Sequence, residues 1–503
     1  MTRSFEGIRG EREAIRKRPR AVTSQSERTI LLGAILLASA VSAATAYALT
    51  QCNSVDVLSS LLYPPQDCWL DWGMNVGRHC FSDYAMVVSA GLQPNPWDYP
   101  IALPPSYQPI TVGYPAAGWL PHLSFALPAH WLGVPRLGLI GYLIALTFAV
   151  LSPAVWAARG THGLERVVVF VALGAAAIPV WAVVDRGNSA GFVAPIALVF
   201  FVALRRQRWG LVAVMVVLAA LVKPQFAVLA LVFFAARQWR WGGLAIGGIA
   251  ISNVAAFLLW PRDFPQTVTQ SMHNIIKFSS SFGGLADTRN VSFGRALLLI
   301  PDSIKSAQTG KIPEGFLAMP RSLLGYVVLL LVVCSVLALG RRIPPVMAGI
   351  VLLATAALFP SYTSFYYLVF VLPVAALVVR DPDGPPGAGI FDQLAAHGDR
   401  RRAVGVCVGL AAAVSIAQIA LPGPPVPVSI FGQMGARGEI GSTSVVATTV
   451  TYAPVFWLIA CAVIIASYAR RPANSPGGEP EPTETGEQVV QSSAQAPVSS
   501  AET

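Results

Sequence analysis

Charge is what this chain of 503 residues has least of: 12% of its residues are charged, against 54% that are hydrophobic. So little charge cannot clothe a soluble domain, and the apolar runs approach the ~20 residues that cross a hydrocarbon core. Several catalytic signatures are missing too. There is no Walker loop and no dinucleotide fingerprint, which removes the usual nucleotide sites. The long polar segment after the first apolar run has no Asp-x-Asp, and the chain has no His-x-x-x-His and no Cys or His cluster at ligand spacing, so no metal is demanded. A net charge of +10 is present, but its arginines sit in ones to fours at the ends of apolar runs instead of on one module with stacking aromatics. That excludes a nucleic-acid partner.

What is there is a series of twelve apolar runs, about 29–50, 137–157, 165–184, 189–204, 210–222, 224–236, 242–260, 322–340, 344–359, 364–380, 403–421 and 450–469. They predict an all-α, polytopic transmembrane helical bundle of about twelve spans. Alternate connections carry Arg159 and Arg166, Arg205, Arg206 and Arg208, Arg237 and Arg240, Arg341 and Arg342, Arg380 with Arg400, Arg401 and Arg402, and finally Arg470 and Arg471. Short cytoplasmic loops retain positive charge, so this side is read as the cytoplasm and both termini are expected there.

The expected organisation follows. Residues 1–28 form a basic cytoplasmic segment, 29–380 a transmembrane core, 381–402 a cytoplasmic loop, 403–470 the last spans, and 471–503 a tail. The tail is rich in Pro, Ser, Gly and Glu and should be disordered. Three outward loops are long, 51–136, 261–321 and 422–449, and are expected to carry short amphipathic helices on the outer leaflet. The outward connections at 185–188, 223 and 360–363 are very short. Cys52, Cys68 and Cys80 share the first long loop, where one disulfide among them is possible; Cys334, Cys407 and Cys461 read as packing residues within spans.

Ionisable groups at membrane level are expensive and usually mark a partner or a pathway. Lys223 interrupts an apolar stretch, and Asp185-Arg186-Gly187-Asn188 separates two runs with almost no loop. One reading is that Asp185 pairs with Arg186 or Lys223 and merely caps the helix ends. The other is that the runs frame an outward recess where Lys223 and Arg186 face a lipid-linked phosphate, which suits both an ammonium and a guanidinium.

In the first long loop, Phe81-Ser82-Asp83-Tyr84 precedes Gly91, Asn95-Pro96-Trp97-Asp98 and Tyr114-Pro115. Together with Gly187-Asn188, Arg205-Arg206 and Lys223-Pro224, this layout resembles the family-87 members of the GT-C glycosyltransferase superfamily over about positions 29–380. It departs from the family's Tyr-Pro-Pro element at Tyr114-Pro115-Ala116 and from its Gly-Gln-Val-Asn-like run at Arg186-Gly187-Asn188.

The resemblance implies a membrane enzyme of the cell envelope. It would transfer a sugar from a polyprenyl-phosphate donor to an envelope glycolipid or polysaccharide on the extracytoplasmic face. The leading sugar is mannose, and decaprenyl-phosphoryl arabinose is the alternative donor. No cofactor beyond the lipid-linked donor is implied, and the partners are that donor, the acceptor and membrane lipids. By resemblance Asp83 is the catalytic base. Lys223 and Arg186 lead as donor-phosphate ligands, with Arg289, His273 and Lys277 as competitors, and Tyr84, Asp185, Asn188 and Gln225 as substrate-binding candidates.

Rival readings stay open at this point. Asp83 could instead begin a loop helix as a cap. The aromatics Trp97, Tyr99, Tyr107 and Trp119 read as interfacial belt residues. A lipid or glycolipid transporter would share the span count, although no internal repeat is visible, and a non-catalytic assembly partner is the third class.

Overall fold

Each of the twelve apolar runs folds as helix. The computed structural model describes residues 25–53, 81–102, 109–281, 289–301, 318–396, 401–422, 426–431, 437–443 and 446–470, with 304 and 308 singly. The basic N-terminal stretch before residue 25, the 471–503 tail, Tyr107, Cys68 and Cys80 lie outside the described residues, and with them the disulfide expectation.

The helices are α1 (Glu27–Asn53), α2 (Ser82–Gly91), α3 (Ala116–Trp131), α4 (Pro135–Ala158), α5 (Gly163–Phe170), α6 (Ile178–Arg186), α7 (Val193–Arg205), α8 (Trp209–Val222), α9 (Leu231–Ala235), α10 (Trp239–Ala256), α11 (Gln266–Ser281), α12 (Phe293–Leu297), α13 (Ala318–Leu339), α14 (Pro345–Leu358), α15 (Val371–Val379), α16 (Ile390–Ala396), α17 (Arg402–Ile416) and α18 (Ala453–Ala469). Short 3-10 turns at Ser189–Phe192, Pro224–Ala230 and Phe365–Phe370 lead into α7, α9 and α15. Sheet is confined to three antiparallel pairs: β1 (Pro100–Ala102) with β2 (Pro109–Thr111), β3 (Ala420–Pro422) with β6 (Val446–Thr448), and β4 (Val426–Phe431) with β5 (Arg437–Thr443). The third long loop therefore carries strands among its described residues.

By length and apolarity, five helices among the described residues can cross a bilayer: Glu27–Cys52, Pro135–Ala158, Trp239–Leu259, Leu323–Arg342 and Thr449–Ala469. The pair Gly163–Ala175 and Ile178–Arg186, bent by 43°, makes a sixth if it is one span. The remaining six runs are helices of 10–17 residues, too short for a hydrocarbon core of ~30 Å at 1.5 Å per residue. The expectation of about twelve full spans thus rests on runs of two different kinds.

Burial separates them. In α4, Tyr142, Leu146, Val150 and Ala154 recur at helical spacing and are fully enclosed, whereas Leu137, Ile140, Ile144 and Phe148 are exposed on the opposite side. That is the pattern of a peripheral helix with one face to the core and one to lipid. In contrast, every residue of α14 from Val346 to Leu358 and every residue of α15 is buried. A helix apolar all round belongs in the middle.

At one end of the bundle, arginines lock loops together. Arg28 pairs with Glu165 at 2.5 Å and donates to the Gly387 carbonyl, Arg205 pairs with Asp381 at 3.2 Å, and Arg206 with Asp383 at 2.8 Å. Arg380 donates to the Trp156 carbonyl and lies over that indole.

At the other end sits a second core. Trp97 and Trp119, read from the sequence as interfacial residues, are 2% and 0% exposed and pack edge-on with Trp260, with Phe257 beside Trp97. Of the described residues in that expectation, only Tyr99 is exposed. Helix α11 closes this layer by burying Thr267, Ser271 and Asn274, and Asn274 donates to the Trp97 carbonyl at 2.8 Å. Asn95 donates to both Asp263 and Gln270 at 2.9 Å, so the two long loops are stitched together. Truncating Trp97 to Ala should cost about 3–5 kcal/mol of local stability. Limited proteolysis should then cut the 81–131 and 261–281 segments faster, while the buried α14–α15 region keeps wild-type resistance.

Candidate active site

Three helix interruptions converge beside Asp83. The first is the α6 end, where Gly187 takes a left-handed φ of +64° and turns the chain so that Arg186 and Asn188 diverge. Glycine is required there, because a Cβ would meet the Tyr84 Cβ at 2.9 Å. The second is Lys223, the single residue between α8 and the Pro224–Ala230 turn. The third is Ser361–Ser364, ahead of Tyr366 and Tyr367.

Asp83 lies in the first turn of α2 and is 7% exposed. Its Oδ2 accepts from Asn188 Nδ2 at 2.7 Å and its Oδ1 from Arg186 Nη2 at 3.3 Å. The Asn188 amide is oriented by its own backbone: its Oδ1 caps the Ser189–Phe192 turn by accepting from Ala190 N at 2.9 Å. That leaves Nδ2 for the carboxylate, with the Tyr366 hydroxyl a further acceptor at 3.4 Å. The Arg186 guanidinium also stands over the Tyr366 ring at 5.7 Å.

Lys223 is 3% exposed and enters from the other side. Its Nζ donates to the Tyr114 hydroxyl at 2.8 Å and lies over the rings of Tyr114, at 4.1 Å, and Tyr367, at 5.6 Å. Tyr114 is pushed up, by burial first and by Asp83 second, so its phenol keeps the proton. Asn188 and Arg186 thus hold Asp83 directly, while Lys223 is carried on Tyr114.

The Tyr114 backbone is anchored by three donors on its carbonyl: Trp97 Nε1 at 2.7 Å, Ser271 Oγ at 3.2 Å and Trp119 Nε1 at 3.3 Å. The Gly187 turn is anchored in the same way. Tyr142 donates to the Gly187 carbonyl at 3.0 Å and His122 Nε2 lies 3.1 Å from it. Burial, reinforced by the Lys223 charge, pulls His122 down to about 3, so its imidazole is neutral. We assign the proton to Nε2, which leaves the buried Nδ1 as a bare acceptor.

Of the residues read from the sequence, Asp83, Arg186, Asn188 and Lys223 meet in this cluster. Tyr84 packs behind it against Tyr142, with ring centroids 4.9 Å apart, and burial pushes its phenol up to about 12. Asp185 is buried and supports the site through its carbonyl, which accepts from Phe81 N at 3.1 Å. Gln225 is half-buried and makes no hydrogen bond to the cluster. His273 is exposed on α11, and the Lys277 side chain lies outside the described residues. Arg289 sits in the turn leading to Asn290, whose side chain accepts from Thr363 N and donates to the Ser361 carbonyl.

Sequence reasoning did not assign the Tyr114, Tyr366 and Tyr367 side chains, or the His122–Tyr142 pair, to the site. The available signal was Tyr362, Tyr366 and Tyr367 clustered at an outward break, opposite the isolated Lys223.

A helical bundle that encloses a paired carboxylate, an arginine and a lysine between broken membrane-level helices is built for chemistry on a charged substrate. Residues 120–361, just under half of the chain, match the model of glycosyltransferase family 87, which bears out the resemblance read from the sequence and indicates a membrane glycosyltransferase. The matched segment holds Arg186, Asn188 and Lys223; Asp83 and Tyr114 precede it and Tyr366 follows it. No curated protein and no solved structure matches the chain.

Substituting Gly187 by Ala should disturb this geometry more than it disturbs the fold. The left-handed conformation alone costs a β-carbon about 1–2 kcal/mol, and the Tyr84 contact adds to it. Activity should fall by well over the fraction of protein unfolded, measured as turnover beside thermal unfolding of the same preparation.

Proposed function

We propose that the chain transfers a sugar from a polyprenyl-phosphate donor to an envelope glycolipid or polysaccharide hydroxyl on the extracytoplasmic face. Mannose is the leading sugar on the family resemblance, and arabinofuranose the alternative. The observation that carries the reading is the enclosure of a carboxylate paired with Arg186, together with a buried lysine held on Tyr114.

Asp83 removes the proton from the acceptor hydroxyl as its oxygen attacks the anomeric carbon. The bond from that carbon to the phosphate oxygen breaks, and the lipid phosphate leaves with the electron pair. Arg186 and Lys223 hold the departing phosphate, whose charge rises as the bond breaks, and stabilisation of developing charge in a water-poor site is worth most there. Asn188 keeps Asp83 aimed through the 2.7 Å hydrogen bond. Tyr114 and Tyr367 line the lysine, so the ammonium is presented in place without a competing carboxylate in direct contact.

The test is sugar transfer by purified protein, with polyprenyl-phosphate-mannose and decaprenyl-phosphoryl arabinose as donors and a panel of envelope acceptors. Asp83→Asn keeps the shape and removes the base, and should lower transfer by about 10²–10⁴-fold. Failure of well-folded wild type to turn over either donor would overturn the reading.

Lys223→Met removes one of the two cations and the contact to Tyr114, and should raise donor KM more than it lowers kcat, measured beside thermal unfolding of the same preparation.

A further inference from the structure

A second cavity lies at the arginine-rich end of the bundle, of about 250 Å³, lined by Gln207, Trp209, Gln238, Arg341 and an apolar floor that includes Val232 and Ile343. It is not part of the Asp83 cluster. Helix α8 begins at Trp209 in this cavity and ends at Val222 beside Lys223, and its 14 residues set the two sites roughly 20 Å apart.

The backbone around the cavity is unusual. The ends of α7, α9 and α13 meet there, and each closes on a left-handed residue: Gln207 at φ +52°, Arg237 at +59° and Gly340 at +51°. Glycine is the easy choice for such a position, yet two of the three carry long polar side chains. The turns at Gln207 and Arg237 are formed alike, with Arg208 N on the Ala203 carbonyl and Gln238 N on the Phe233 carbonyl. Each turn thereby holds an amide side chain, Gln207 or Gln238, at the cavity.

The charge around it has one sign. The connecting segments 205–209, 236–240 and 340–345 contain six arginines beyond Arg205 and no carboxylate. Asp381 and Asp383 come in from a neighbouring loop and are taken by Arg205 and Arg206. Among the described residues, Arg208, Arg237, Arg341 and Arg342 make no ion pair, and Arg341 reaches the cavity wall.

We propose that this cavity binds the phosphodiester headgroup of an anionic membrane lipid. Arg341 faces the phosphate, the two glutamines face the headgroup's hydroxyl and ester oxygens, and the apolar floor takes the start of the acyl chains. The volume is small for a drug-sized ligand, since pockets for those start near ~300 Å³, and it suits a headgroup. Basic pockets between membrane helices at the arginine-rich side are a recurring way of holding such lipids. An inorganic phosphate would meet the same arginine but would leave the apolar floor uncovered.

The experiment is lipid retention by the full chain, purified in mild detergent and read by native mass spectrometry and by thermal shift, with phosphatidylglycerol, phosphatidylcholine or inorganic phosphate added. Wild type should retain phosphatidylglycerol in preference to phosphatidylcholine and gain no comparable stability from inorganic phosphate. Arg341→Gln should weaken retention about fivefold, the value of one basic residue at a membrane surface, and Gln238→Leu should weaken it with all charges kept. Arg470→Gln, at the same end but outside the cavity, should change nothing. Equal retention of the two lipids, equal stabilisation by inorganic phosphate, or an equal loss in Arg470→Gln would overturn the proposal.

Discussion

The enclosure of Asp83 is the constraint on which the rest of the structure depends. An ionised carboxylate away from water is tolerated only when it is paired and hydrogen-bonded. Asn188 and Arg186 supply that pairing, and both reach Asp83 because α6 ends at Gly187 in a conformation that only glycine adopts without strain. The chain interrupts its apolar helices at 185–188, at 223 and at 361–364, and each interruption brings polar groups to the same place. Broken backbone at membrane depth is sustainable only where it is buried in protein or lines a cavity. Here the buried polar cluster satisfies that requirement.

The aromatic layer acts on the cluster through one residue. Trp97, Trp119 and Ser271 all donate to the Tyr114 carbonyl, and the Tyr114 side chain receives Lys223. The Asn95 contacts to Asp263 and Gln270 hold the two long loops in register with each other. The Asn-Pro-Trp-Asp run therefore works as a strut. It fixes where the ammonium stands relative to the carboxylate.

Much of this was legible in the sequence, for identifiable reasons. Apolar run length and low charge located twelve helical runs but left α3 inside the first long loop, and the cost of membrane-level charge singled out Lys223 and Asp185–Asn188. The position of Asp83 was readable only through the resemblance, since several aspartates share its loop. Length was the harder quantity. A run of 14 apolar residues looks the same in sequence whether it is a short span or a core helix, and only the full enclosure of α14 and α15 separates them. Aromatic residues misled for a related reason: Trp97 and Trp119 have the composition of an interfacial belt, but their indole N–H groups find a buried carbonyl and they become core.

Length and burial run opposite to each other across the bundle, and this arrangement accounts for the site's location. The five helices long enough to span have only 22–39% of their apolar windows buried, so they form the lipid-facing rim. The short helices α14 and α15 are wholly enclosed, and α7 and α8 lie partly between rim and centre. A helix that stops short of the membrane surface leaves space above its end, and that space is protected by the longer helices around it. Lys223, Asn188 and Tyr366 all stand at such ends. Arg186 and Lys223 therefore stand within the rim of longer helices, and the buried Asp83 carboxylate is held there with Arg186.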